Sequence, residues 1–392
     1  MRKVFYKLLL AAIYGIFFYG CEKKTVDTQT VQPLNNNTES YFSDPVTAND
    51  NTGELPVLFV LNGFYGYLDR QLQIIIPPIY TRGFIYTDHG YTTVSDIQGA
   101  KILDSEGKIV FSEDCPYIGI LYDDIVTYVP KGERLYKVVK FRDNTVLIDR
   151  LGQPASSIED GIILARTFDG SEYIYINYTG ERILPELNLR RMSREFKEGR
   201  AVVMVGEYRD IFLGGKQDIR IIDINGNYYG SLDFFRTGRN FSEGLLPAET
   251  KDGRTGYINR DGEFAFIVPI VADIPDDDES PLNARDFSGG YALIQTASDP
   301  PIWQIINNLG EFVSGELSIS QASTFVDGLS RIRIDTGYGY INTRGEMIND
   351  QIFESADSFH RGYARIVYHG RDGIINTEGQ VFWSDELVMA IE

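Results

Sequence analysis

Metal binding is the first chemistry that the residue types suggest. The stretch "DINGNYYGSLD" from Asp223 sets Asp223, Asn225 and Asn227 at the alternate spacing of a calcium loop, where side-chain oxygens converge on one cation. Its glycine falls fourth instead of sixth, and Phe234 stands twelfth, where a bidentate acid is needed, so a turn is the stronger reading. Asp276, Asp277, Asp278 and Glu279 in "DIPDDDES" offer hard oxygen ligands, but they read first as a solvated acidic loop. Zinc lacks ligands: His89, His360 and His369 are the only histidines, and none has ligand spacing to a cysteine. The expectation is no metal.

Nucleophilic catalysis fares no better. There is no G-x-S-x-G elbow, no phosphate loop and no dinucleotide fingerprint, hence no cofactor is expected. Cys115 in "SEDCPYIG" follows Glu113 and Asp114, whose charge disfavours a thiolate, so a buried, idle thiol is expected. Glycoside hydrolysis needs only two carboxylates about 5–10 Å apart, and 56 acids make candidates plentiful. The prominent aspartates, however, recur with a repeat. Glu172, Glu207 and Asp210 lie outside it with nothing joining them. No catalytic residue is assigned, and a carbohydrate-active enzyme stands as the alternative to a noncatalytic role.

The formal charge of −19 opposes attraction to nucleic acid or to an anionic lipid surface. Apolar residues at 43% allow a substantial core, and aromatics at 13%, mostly Tyr and Phe, favour strands.

The elements that would position any site come from a repeated phrase. "GYINRDG" (256–262), "GYINTRG" (339–345) and "GIINTEG" (373–379) share an apolar strand, then Asn, then Gly three residues later. Worn copies are "GYLDRQL" (66–72), "KILDSEG" (101–107), "VLIDRLG" (146–152), "IYINYTG" (174–180), "RIIDING" (220–226) and "QIINNLG" (304–310). Alternation predicts a strand. Asp or Asn predicts a turn capped by its own side chain, and Gly the left-handed residue after a type I turn. A second phrase, F-x-x-G, begins at Phe196, Phe241, Phe287, Phe325 and Phe359, with an inward Phe and a tight entry into the next strand.

This order resembles the WG-type repeats of bacterial proteins. Trp303 stands at the Trp position before Gln304, while Tyr65-Gly66 and Tyr338-Gly339 keep Gly after another aromatic. The resemblance covers about residues 57–383 and implies an all-β fold of tandem hairpins. About nine units are expected in a curved, solenoid-like array, with a closed β-propeller-like ring as the alternative.

The chain opens with Arg2, Lys3 and Lys7 before an apolar run, Leu8 to Tyr19, too short to span a membrane. Phe18-Tyr19-Gly20-Cys21 resembles the lipobox of bacterial lipoproteins, which implies lipidation of Cys21 and cleavage before it; an ordinary signal peptide is the alternative. Residues 1–20 are thus expected to be a signal peptide and 21–54 a lipidated Cys with a polar tether. Residues 55–392 would form the repeat domain. The expected role is a lipid-anchored, noncatalytic binding or scaffold module of the bacterial envelope, at the outer membrane. Its partner would be an unidentified protein or glycan, with membrane contact through the lipid only.

Overall fold

In the computed structural model, the described residues run from 55 to 389, except 153–160, 168–171, 178, 188, 190–192, 206–217 and 272–281. The expectations for residues 1–54, including Cys21, and for Glu207, Asp210 and Asp276 to Glu279 lie outside them.

Each copy of the phrase meets strand pairing at its start. In the sheet that follows residue 320, Gln321–Ala322, Leu329–Ile334 and Gly337–Asn342 pair antiparallel, with Leu329 opposite Asn342 and Ile334 opposite Gly337. Asn342 then turns the chain. Its Oδ1 accepts the N–H groups of Arg344 at 2.9 Å and Glu346 at 3.1 Å, and Gly345 takes φ +81°. The same side-chain cap forms at Asp69, Asp104, Asn177, Asp223, Asn259, Asn307 and Asn376. Leu72, where one copy lacks Gly, is itself left-handed at φ 60°. "VLIDRLG" departs: Asp149 lies within the strand Thr145–Leu151, and the Gly152 N–H instead reaches the Arg166 carbonyl. Similar letters there make a strand, since Leu151 is buried opposite Tyr136.

The second phrase is a two-residue hairpin turn. Glu198-Gly199, Glu243-Gly244, Asp327-Gly328 and Arg361-Gly362 all have positive φ at both positions, the requirement of a type I′ turn. Its acid ties one turn to the next. Glu198 accepts the N–H groups of Glu243 and Gly244 at 2.8 Å, and Glu243 accepts those of Gly289 and Gly290 at 2.6 and 2.9 Å. The tyrosine of the first phrase makes a second tie. Tyr175, Tyr257 and Tyr340 donate to the carbonyls of Arg194, Arg285 and Asp357 at 2.5, 2.6 and 2.6 Å. Their rings meet Phe196, Phe287 and Phe359 edge-on at 4.9, 4.8 and 4.8 Å.

Seven sheets of three to six strands and one of two strands result, following one another along the chain. The six-stranded sheet carries two copies of the phrase, 220–226 and 256–262. Apolar clusters fill each space between successive strand sets, as with Leu293, Trp303, Ile305, Phe325, Ile332 and Ile341. The fold is all-β; among the described residues the one helix is Ser384–Met389.

The last sheet meets the first. Val57, Phe59 and Leu68 pack with Ile374, and Phe382, Leu387 and Val388 cover them. His360 Nε2 lies 3.0 Å from the Tyr86 carbonyl oxygen, and Arg361 pairs with Asp88 at 2.5 Å. The open, solenoid-like array is therefore corrected: the blades are arranged about an axis like a β-propeller. An open array needs polar end faces. Here both ends are apolar, and each buries the other.

Candidate ligand-binding cleft

The recurrent acids are held by the backbone. Asp223, the calcium-loop candidate, accepts from Asn225 N–H, Asn227 N–H, Asn227 Nδ2 and Tyr229 Oη, at 2.9, 3.0, 2.9 and 3.0 Å. Burial alone would raise its pKa, but those donors outweigh it and hold the carboxyl below its usual range. Among the described residues no three His, Cys, Asp or Glu side chains group to hold a metal.

The remaining sequence candidates are scattered. Glu172 pairs with Arg182 at 3.3 Å on the surface. Cys115 is buried, its Sγ–H donates to the Tyr117 carbonyl, and burial with Glu113 and Asp114 pushes its pKa up, so the thiolate is disfavoured as expected. His369 is exposed, 3.9 Å from Glu354, while His89 packs edge-on against Tyr122. None of these converges with another.

What does converge is a different set. Between the strands Tyr291–Ser298 and Pro301–Asn307 and the sheet that follows opens a cleft of about 650 Å³, within the range of ligand sites (roughly 300–1,000 Å³). Its polar lining is Asn283, Arg285, Gln295, Ser298, Ser320, Gln321, Arg331 and Arg333, with Trp303 and Tyr338. Among the described residues no Asp or Glu lines it.

Along the strand Leu329–Ile334, Leu329 and Ile332 are buried in the clusters on its two opposite faces, and Arg331 and Arg333, two residues apart on one face, line the cleft. The two guanidiniums flank Tyr338, 5.4 and 5.6 Å from its ring centre. Arg285 lies over Trp303 at 4.9 Å, and its Nε donates to the Ala322 carbonyl at 2.5 Å. Arg331 Nη1 donates to the Ala356 carbonyl at 2.8 Å. None of the three arginines has an acidic partner within 4.0 Å among the described residues.

Burial pulls the pKa of Arg285 down, against the opposing influence of Tyr257 and Asp286. That is the mark of a cation short of a counter-charge. Trp303 is 1% exposed, and its indole N–H has no hydrogen-bond partner among the described residues. A buried donor left unpaired costs about 1–3 kcal/mol. Three guanidiniums without an acidic partner among the described residues thus line the same space.

Sequence reasoning singled out Trp303 and Tyr338 as repeat positions but missed the arginines. Their signal was "SRIRI", two cations at alternate positions of a strand in an acidic chain.

The WG containing repeat matches residues 65–95 and 338–371, beginning at Tyr65-Gly66 and Tyr338-Gly339. No curated protein matches the chain. Among solved structures, the chain is similar to the crystal structure of the eukaryotic initiation factor, at 10% identity and a TM-score of 0.55, over 84% of this chain and 95% of that one. It is also similar to the computationally designed Ika8 protein, at 14% identity and 0.42, over 77% and 95%. AztD from Citrobacter koseri shares 9% identity at 0.41, over 84% and 96%. At 10% identity the first is a likeness of fold alone. With its turns, its recurring phrase and two matched segments in agreement, the chain is a WG-repeat protein.

Proposed function

We propose that the protein is a noncatalytic binding module of the bacterial cell envelope. It is held at the outer membrane by lipid on Cys21 and uses the cleft beside Arg285, Arg331 and Arg333 to engage an envelope protein or glycan. The observation that carries the reading is the division of polar groups. Acids of the repeat cap turns, as Asp104 and Asp223 do, while the described lining of the cleft is cations, amides and hydroxyls. Glycoside hydrolysis needs two facing carboxylates, and none is among the described residues of the cleft lining. The anchor rests on the sequence pattern ending at Cys21; several acyl chains together make such anchoring stable.

Two measurements test this. Cys21→Ala should lose metabolic palmitate labelling and leave a larger precursor; unchanged labelling would remove the anchor. Envelope glycan incubated with the full mature chain should be retained without new reducing ends. Their release would remove the noncatalytic reading.

A further inference from the structure

We infer that the cleft recognises an acidic sugar: a hydroxyl-rich ring bearing a carboxylate or a phosphate. This rests on the binding-module reading and names its ligand class.

Three features carry it. Arg285, Arg331 and Arg333 bring three guanidiniums to one space without an acid among its described lining residues. Guanidinium presents a planar fork of donors that matches a carboxylate or phosphate edge. Arg333 is exposed, and its guanidinium, set against the Tyr338 ring, makes no hydrogen bond or ion pair among the described residues, so it can engage an anion. Second, the half-buried Tyr338 ring, set against Arg331 and Arg333 in the lining, offers an apolar face for a sugar ring. Third, Asn283, Gln295, Ser298, Ser320 and Gln321 supply amides and hydroxyls, which donate and accept at once, as sugar hydroxyls require.

A bare anion would use the arginines and leave those amides idle. An acidic peptide is the other candidate, but peptide recognition relies on apolar anchor pockets or strand addition. The lining is mainly polar, its apolar members being Val271, Pro301, Ala322 and Ile332 beside the aromatics.

Isothermal titration of the mature chain tests this with five probes: digalacturonate, glucose 6-phosphate, maltose, inorganic phosphate and a penta-glutamate peptide. At least one acidic sugar should bind tenfold or more tighter than maltose, phosphate and the peptide, and weaken as salt rises. Which acidic sugar binds tells carboxylate from phosphate. Arg333→Ala should weaken it at least tenfold with an unchanged melting temperature, and Arg333→Lys should recover part of the loss. Absence of acidic-sugar binding overturns the inference. So does equal binding of maltose or phosphate, tighter binding of the peptide, or full affinity in Arg333→Ala. If titration fails while intact envelope glycan or an envelope protein is still retained, the binding-module reading stands and only the ligand class falls.

Discussion

The junction that closes the ring and the junction beside the cleft meet opposite demands. At the closing junction the partners are remote: His360 and Tyr86 are 274 residues apart in the chain. Nothing covalent keeps those sheets near each other, so contacts must offset the entropy of bringing them together. The surfaces are accordingly apolar, with Phe59, Leu68 and Ile374 all at 0% exposure. The hollow left between Arg70, His360 and Arg361 is only about 40 Å³. At the cleft the partners are near in sequence, as Arg285 and Ala322 are at 37 residues. The chain itself holds the sheets together, and unpaired cations are tolerated there. The neighbouring junction is tied by Tyr340 to the Asp357 carbonyl, whereas Ile305 occupies the corresponding place beside the cleft and makes no such tie. The proposed binding site thus sits where it puts folding least at risk.

The contrast can be broken most forcefully at Phe59. Phe59→Ala should destabilise the fold by about 3–5 kcal/mol, the cost of truncating a buried aromatic, whereas Arg333→Ala should stay within about 0.5 kcal/mol. Chemical denaturation of the two variants measures both; similar losses would erase the distinction.

A smaller effect separates turns made by the phrase from loops outside it. Gly345 holds φ +81°, and Gly315 has neither positive φ nor a neighbour within 4 Å of an added Cβ. Gly345→Val should cost about 1–3 kcal/mol through backbone strain, and Gly315→Val little. Equal melting temperatures for the two would show that the phrase is not the structural unit.

The smallest effect is a pH dependence at the seam. Burial lowers the pKa of His360, with the Tyr86 hydrogen bond opposing and Arg361, Asp88 and Asp327 facing it. Above about pH 6.5, the unperturbed value, His360 is neutral folded or unfolded and contributes no pH dependence. As pH falls through that value, the unfolded chain takes the proton first, so stability declines. His360→Gln keeps a donor for the Tyr86 carbonyl and should flatten this part of the profile. Identical slopes between pH 7 and 5 would exclude the effect.

Much of the local structure was legible because its causes are local. Asn342 and Gly345 specify a turn within five residues, and Phe196, Phe241, Phe287, Phe325 and Phe359 are buried as their phrase implies. "VLIDRLG" misled because burial of Leu151 overrides turn chemistry at Asp149. Closure was not legible as the favoured reading: Phe59 and Ile374 alternate like any other strand residues, and no short-range signal says that they meet. The cleft was missed for a related reason. "SRIRI" is an ordinary half-buried strand until Trp303 and Arg285 arrive from the preceding strands.

The arrangement about an axis is tested most directly by a double-mutant cycle between the first and last sheets. Phe59→Leu, Ile374→Val and the double variant would each be unfolded in denaturant. Contacting core residues couple by about 0.5–3 kcal/mol, and distant ones add within about 0.3–0.5 kcal/mol. A closed ring predicts coupling of at least about 0.5 kcal/mol across the seam. Simple additivity would mean that the two sheets do not meet, and would restore the open array.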